Sequence, residues 1–462
     1  MTKKTVLLTI LATVVAATSV FAADPAPAAR PNIAKPCMAC HKAEAGELYG
    51  YYDGAAFKTK TIQMKIDNSV ELIKFDEDEI KVVNGEGKTG DGEFLRKINK
   101  GHEIKIEFVE ANGVKSAVKV YEKPPVKISD DMLYKIADVE KLVAKGPEKG
   151  KYFLFDSRPM PRFQQGYIPT AVSFPFGAFD KMAEKLLPKD KNALIVFYCQ
   201  GVTCNLSPGS AGKAQKLGYT NVKVFKDGIP GWQEKHFALT TAPFLKEAWM
   251  NKDIPHVLLD ARAEKDAAKG FIKGAVTFPA TKAVKLVKAL DIKKNAPVIV
   301  YDQKSGKDAA VVASALIKAG FKNVLVLDGG FDAWQAAKLE IATGKLSVKA
   351  SYTPKPRPGE VNVDEFQKYA AQLPANVMII DVRNADEVVG GMLKVATSIP
   401  SDEIKDRLAE IPKDKLIITH CSTGVRAEMA YNALKNLGYT NVKFLNAKIE
   451  IQKDGSYKIT KE

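Results

Sequence analysis

Phe153-Leu154-Phe155-Asp156-Ser157-Arg158, Val257-Leu258-Leu259-Asp260-Ala261-Arg262 and Met378-Ile379-Ile380-Asp381-Val382-Arg383 are one pattern written three times: an apolar run closing on Asp-x-Arg. Beyond each, a glycine-containing turn leads to a short apolar segment that stops at Pro175, Pro279 or Pro400. A second apolar run then opens into a loop at Cys199, Asp302 or Cys421, which lies 43, 42 or 40 residues after the first Asp. An Ala-rich, helix-like stretch follows, and then Gly-aromatic-x-Asn-Val at Gly218–Val222, Gly320–Val324 and Gly438–Val442. Apolar runs without alternation, spaced by helical segments, predict a parallel sheet covered on both faces. A repeat of roughly 100–120 residues is a domain and not a solenoid unit. Four marks recurring in order at matched spacing argue against chance similarity.

The parts of the chain outside the repeat read differently. Lys3 and Lys4, an apolar run from Val6 to Val15 and small residues ending at Ala22 have the form of an export leader cleaved near Ala22. That run is too short to span a bilayer. The expectation is an exported, soluble chain, periplasmic in a Gram-negative cell. Residues 23–36 are Ala/Pro-rich and read as a linker. Residues 60–121 alternate in strand fashion, with Ile62, Met64, Ile66, Ile104, Ile106 and Phe108 on one side. The charge of +15 comes from lysine spread along the whole length. With no arginine-rich tract and no aromatic-basic alternation, nucleic-acid binding has little support. A diffuse positive field favours small anions or an acidic redox partner.

Five cysteines divide into Cys37 with Cys40, Cys199 with Cys204, and Cys421 alone. Cys37-Met38-Ala39-Cys40-His41 is the C-x-x-C-H pattern for one covalent haem c: two thioethers fix the porphyrin and His41 ligates the iron. No second Cys pair lies nearby for a zinc site, and no thioredoxin-like strand precedes the motif. His102 and Met64 are the candidate distal ligands. Met64 also fits core packing, and His102 also fits an exposed turn.

The threefold pattern resembles the rhodanese (thiosulfate sulfurtransferase) family over about 330 residues. Asp227-Gly228 with Trp232, and Asp328-Gly329 with Trp334, look like that family's closing motif. The third repeat has Asn446-Ala447-Lys448 instead, so its last helix is expected to be trimmed. The resemblance implies three α/β domains at 127–240, 241–348 and 349–462, each a parallel sheet flanked by helices. A small β-rich haem segment at 37–126 precedes them.

By the same resemblance Cys421 is the nucleophile that takes the outer sulfur of thiosulfate or polysulfide as a persulfide, later collected by a thiol or protein acceptor. Arg426 contacts the substrate oxyanion, a role suited to its planar fork. Ser422, Thr423, Gly424 and Val425 supply the backbone cradle, and the sulfur is expected to be exposed. In the first domain Cys199 takes the nucleophile position, with Gln200 and Gly201 in the cradle. Cys204 stands where arginine would be. It either resolves a Cys199 persulfide as a dithiol switch or forms a structural disulfide. The second loop, Asp302-Gln303-Lys304-Ser305-Gly306-Lys307, has no thiol and is expected to be silent. Arg158, Arg262 and Arg383 are expected to pair with nearby acids and hold the fold. The competing class is a non-enzymatic electron carrier whose rhodanese-like domains dock partners or bind anions.

Overall fold

The computed structural model describes residues 31–35, 42, 44–304 and 306–460. The leader and the haem motif Cys37, Cys40 and His41 lie outside the described residues. Residues 32–34 do not behave as free linker: Ala34 is buried, and its N–H donates to the Tyr49 carbonyl at 2.9 Å. Ile33 bridges Tyr49 in parallel, because an apolar Ile-Ala pair next to a sheet edge gains more from docking than from solvation.

Seven strands follow: β1 (Glu47–Ala56), β2 (Thr61–Ile66), β3 (Ser69–Phe75), β4 (Lys81–Val83), β5 (Thr89–Gly90), β6 (Glu103–Ala111) and β7 (Val114–Glu122). Their order is β3-β2-β1-β6-β7-β4-β5, and a parallel β3–β7 pairing closes five of them into a barrel. Closure needs a sharp bend in the long first strand. It comes at Gly54, where the register of β1 on β2 slips and φ is +142°. Ile62, Met64, Ile66, Ile104 and Ile106 all point into the barrel core, as their alternation predicts, whereas Phe108 is only partly buried. This five-strand Greek-key order, with a parallel first-to-last contact and a helical turn at Gly92–Lys97 before β6, is that of an OB-type barrel. Its β2–β3 face is covered by the helix Val425–Asn436 of the third repeat. Asn432 donates to Gln63 Oε1 at 3.3 Å, and Asn436 donates to the Val70 carbonyl at 3.2 Å.

Each repeat then builds a parallel sheet. In the first the order is Val172–Ser173, Tyr152–Asp156, Leu194–Tyr198, Val222–Phe225, Leu133–Tyr134. The second has Ala238–Thr240, Asn323–Leu327, Pro297–Tyr301, Val257–Asp260, Val276–Thr277, and the third has four strands with Leu416–His420 inside. The central strands are buried on both faces, which is why the first two read as unbroken apolar runs, whereas the third buries Thr419 and His420 at its end. Strand Ala238–Thr240 pairs with Asn323–Leu327, so it belongs to the second sheet although it precedes the expected joint at 240. The first two repeats also share one core, with Trp232, Tyr198, Leu258, Tyr301 and Trp334 in a single cluster. Tyr167 OH donates to Asp328 Oδ2 at 2.5 Å across that joint. Burying one apolar face against the other explains the crossed strand.

The third repeat ends in a hairpin, Lys448–Ile451 with Tyr457–Thr460, in place of the Trp-bearing helices Gly228–Gln233 and Gly330–Ala336. Those helices place an amide on the loop carbonyl of Cys199 or Asp302, from Ile229 at 3.0 Å and Phe331 at 2.8 Å. In the third repeat Ile449 of the hairpin does the same for Ser422 at 3.0 Å.

Candidate active site

All three Asp-x-Arg steps fold into the same staple. Asp156, Asp260 and Asp381 are completely buried, and each accepts hydrogen bonds from the guanidinium two residues on. The same Arg Nη2 donates to the carbonyl of Gly166, Gly270 or Gly391, at 2.6, 2.7 and 2.8 Å. Arg158, Arg262 and Arg383 therefore lock the glycine turn to the strand end, the structural part expected of them. Arg158 and Arg262 also reach their loops through Gln200 and Gln303.

Behind the staple, Tyr198 and Tyr301 take a backbone amide on their hydroxyls, from Ile168 and Ile272. The third repeat has His420 at this position. Its ring is fully buried with neither nitrogen hydrogen-bonded, and Nε2 stands 3.8 Å from Asp381 Oδ2. Burial depresses its pKa to about 4, so the ring is neutral at physiological pH.

Cys421 ends the strand Leu416–His420 and opens into the helix Val425–Asn436. Gly424 N–H points at its Sγ from 3.2 Å. Gly424 itself sits at φ +92°, and a Cβ there would meet Asn446 and Leu445 at 3.2–3.3 Å, so the turn requires glycine. The expected exposure is not found: Cys421 is 1% exposed, packed with Ile380, Ile417 and Ala427. A residue at the end of a strand covered on both faces inherits that cover.

Arg426 is likewise not open to solvent oxyanions. Its Nη1 donates to Glu387 Oε2 at 2.5 Å and its Nη2 to Oε1 at 2.9 Å, with Asn384 Oδ1 also in reach at 3.2 Å. Glu387 further accepts from Ser422 Oγ at 3.3 Å, and Lys58 of the barrel lies 3.3 Å away. The Arg426 fork, foremost among these donors, holds the Glu387 carboxyl down at about 2. Glu387 is thus a clasp joining both ends of the Cys421 loop to the barrel. The sequence reading missed it. The only signal was an acid six residues after Asp381, a place where the first repeat has Arg162.

In the first domain Cys199 and Cys204 are both free thiols, as is Cys421. Cys199 is 1% exposed, receives Ser207 Oγ at 3.0 Å and lies 3.5 Å from the Cys204 carbonyl. Cys204 is half-buried at the foot of the helix Leu206–Lys216. Val126, just past the barrel, donates to the Val202 carbonyl at 2.8 Å, so the barrel's exit segment is tied to this loop.

In the second domain Asp302 occupies the cysteine position and accepts amides from Lys304 at 3.0 Å and Ala309 at 3.1 Å. A cavity of about 830 Å³ lies over it, lined by Arg262, Lys269, Lys304, Lys307 and Phe331 among others. The carboxylate satisfies the amides that would otherwise hold an anion.

His102 is exposed, with Nδ1 2.5 Å from Glu122 Oε1, and Met64 is fully buried in the barrel core. Among the described residues no group of three or more His, Cys, Asp or Glu is placed to hold a metal. Within the same residues no helix is long and apolar enough to cross a membrane.

Three stretches of the chain, 138–235, 244–337 and 363–450, match the family model described as the rhodanese-like domain. A sulfurtransferase of Allochromatium vinosum is 34% identical over 67 residues, 14% of this chain and 63% of that protein. A probable 3-mercaptopyruvate sulfurtransferase of Schizosaccharomyces pombe is 27% identical over 203 residues, 36% of this chain and 66% of that one. The chain thus spans 63% and 66% of the length of these relatives. Among solved structures, a thiosulfate sulfurtransferase from Pseudomonas aeruginosa aligns at 19% identity over 68% of this chain and 66% of its own, with a TM-score of 0.22. With the family model covering more than half of its length, the chain belongs to the rhodanese-like domain family, as three tandem copies.

Proposed function

We propose that the protein transfers sulfane sulfur through a cysteine persulfide, with Cys421 as the carrier in the third domain. The observation that carries this reading is the Gly424 amide aimed at Cys421 Sγ at the head of a helix, the donor an anionic persulfide needs. In the step, the Cys421 thiolate attacks the outer sulfur of the donor. The donor's S–S bond breaks, and its inner group leaves with the electron pair, as sulfite from thiosulfate or a shortened chain from polysulfide. The persulfide then passes its outer sulfur to a thiol. Persulfide mapping by mass spectrometry after thiosulfate or polysulfide exposure tests it, and absence of the added sulfur from Cys421 and from the first domain would refute it.

The Glu387 clasp bears on the donor. Thiosulfate would meet an arginine already neutralised by a carboxylate, so a polysulfide or persulfide suits the resting loop better. Glu387→Gln is expected to free the fork and lower the KM for thiosulfate about tenfold, the worth of one charge-assisted hydrogen bond. Unchanged steady-state kinetics in that variant would show that Arg426 does not meet the substrate.

The reading extends to the sequence in front of the barrel. Export through the leader to the periplasm, one haem c on Cys37 and Cys40 with His41 on the iron, and exchange of electrons with a redox partner belong to it. His102 would serve as the distal ligand through Nε2, with Nδ1 kept on Glu122. Bound haem would supply a one-electron couple that sulfur transfer alone does not need. A pyridine haemochrome spectrum of protein made in a periplasm is expected to give one haem per chain, and Cys37→Ala is expected to reduce it. An unaltered protein without the haem band would remove the cofactor from this proposal.

A further inference from the structure

The barrel stands beside the Cys421 loop and reaches it through one side chain. Lys58 lies on the short helical turn Phe57–Thr59 between β1 and β2. Its Nζ is 3.3 Å from Glu387 Oε1. The same oxygen accepts from Arg426 Nη2 at 2.9 Å and from Ser422 Oγ at 3.3 Å. Two cations from two domains therefore share one carboxylate, next to the residue that follows Cys421.

The turn that carries Lys58 is fixed from both sides. Phe57 packs edge-on to Phe75 with ring centroids 5.6 Å apart. The Thr59 carbonyl accepts from Thr61 Oγ1 at 2.8 Å and from Lys74 Nζ at 3.0 Å. The barrel itself is seated on the third domain through Asn432 and Asn436, and through Lys405, which donates to the Gly113 carbonyl at 3.4 Å. The Lys58 side chain remains 57% exposed, so it can follow a carboxylate that moves. In the second repeat the matching acid, Asp266, takes its cation, Lys269, from its own domain at 2.9 Å. In the third, the added cation crosses a joint.

We infer that Lys58 is a positioning residue of the Cys421 site: it keeps Glu387 when Arg426 turns to an oxyanion donor, and so sets the choice between thiosulfate and polysulfide. The inference deepens the sulfur-transfer reading and rests on it for the identity of the donor. For Arg426 to grip the oxygens of thiosulfate, its fork must leave Glu387. A half-buried carboxylate stripped of its partner is costly. Lys58 on Oε1 and the Asn384 amide, 3.2 Å from Oε2, keep it satisfied. No proton moves in this exchange, since Arg426 trades one anion for another and Glu387 stays ionised on Lys58. Glu428, on the same helix as Arg426, does not compete for the lysine, because Arg357 holds it at 3.1 Å.

The test is sulfur transfer by the full-length chain carrying Cys199→Ser and Cys204→Ser, so that only Cys421 turns over. Adding Lys58→Met is expected to raise the KM for thiosulfate about threefold at unchanged kcat, the worth of one partly exposed ion pair. The ratio of KM for thiosulfate to KM for polysulfide should rise by a similar factor, and Lys58→Arg should restore it. With Glu387→Gln also present Arg426 is already free, and Lys58→Met should no longer move the ratio. A ratio unmoved by Lys58→Met, or moved equally with and without Glu387, overturns the exchange. Persulfide mapping is read separately. Cys421 loaded by polysulfide, with the ratio unmoved, fails the exchange alone. No added sulfur on Cys421 from either donor fails sulfur transfer in this domain and the exchange with it.

Discussion

In a chain carrying Cys199→Ser and Cys204→Ser, the further change Cys421→Ser is expected to abolish persulfide formation and lower sulfur transfer to cyanide on the order of 10³-fold or more, since the covalent route itself is gone. Serine is close to cysteine in size, so the packing against Ile380, Ile417 and Ala427 survives. The Gly424 amide would then bond to a hydroxyl, but a hydroxyl oxygen holds no sulfane sulfur. The comparison is with the double variant, which retains Cys421 alone. Equal turnover in the two would mean that the third domain carries nothing and that the docking-module reading is the better one. Circular dichroism before and after the change separates loss of chemistry from loss of fold.

Arg262→Met is expected to destabilise the joined first and second domains by about 3–5 kcal/mol, the usual cost of stranding one partner of a buried ion pair. Asp260 is fully buried and accepts from Arg262 Nε at 2.9 Å, from Nη2 at 2.6 Å, and from Tyr301 OH at 2.8 Å. Methionine fills much of the volume and keeps contact with Phe331, whose ring centroid lies 4.1 Å from the guanidinium carbon. It leaves Asp260 without its charge partner and the Gly270 carbonyl without its donor. The carboxyl must then take up a proton or carry an unpaired charge in the core. Urea unfolding followed by the fluorescence of Trp232 and Trp334 reports the change, because both residues sit in the shared cluster. Arg262→Lys should recover little, since one ammonium cannot span the carboxylate and the carbonyl together. A shift below about 1 kcal/mol would mean that the staple is not what holds the turn.

The repeat was legible because its marks are short-range. A strand covered on both faces is apolar at most positions, and the buried Asp-x-Arg step is confined to neighbouring residues, so both appear in the chain as compact words. The barrel strands were legible for the same reason, through alternation at Ile62, Met64 and Ile66. Strand Ala238–Thr240 was not, because three residues of ordinary composition carry no sign of which sheet will take them. Glu387 was invisible as a clasp, since its partners Arg426, Ser422 and Lys58 are far from it in the chain.

What the sequence by itself determined is the list of parts: three α/β repeats, two thiol-bearing loops, one loop without a thiol, and a C-x-x-C-H word before a β-rich segment. Only the tertiary structure decided how the parts are wired. It closed the β segment into a barrel, merged the first two cores and set Glu387 on Arg426. The division follows from range. Backbone geometry and burial act over a few residues and leave a periodic trace, whereas contacts between distant side chains depend on how whole faces meet, and no local pattern encodes that.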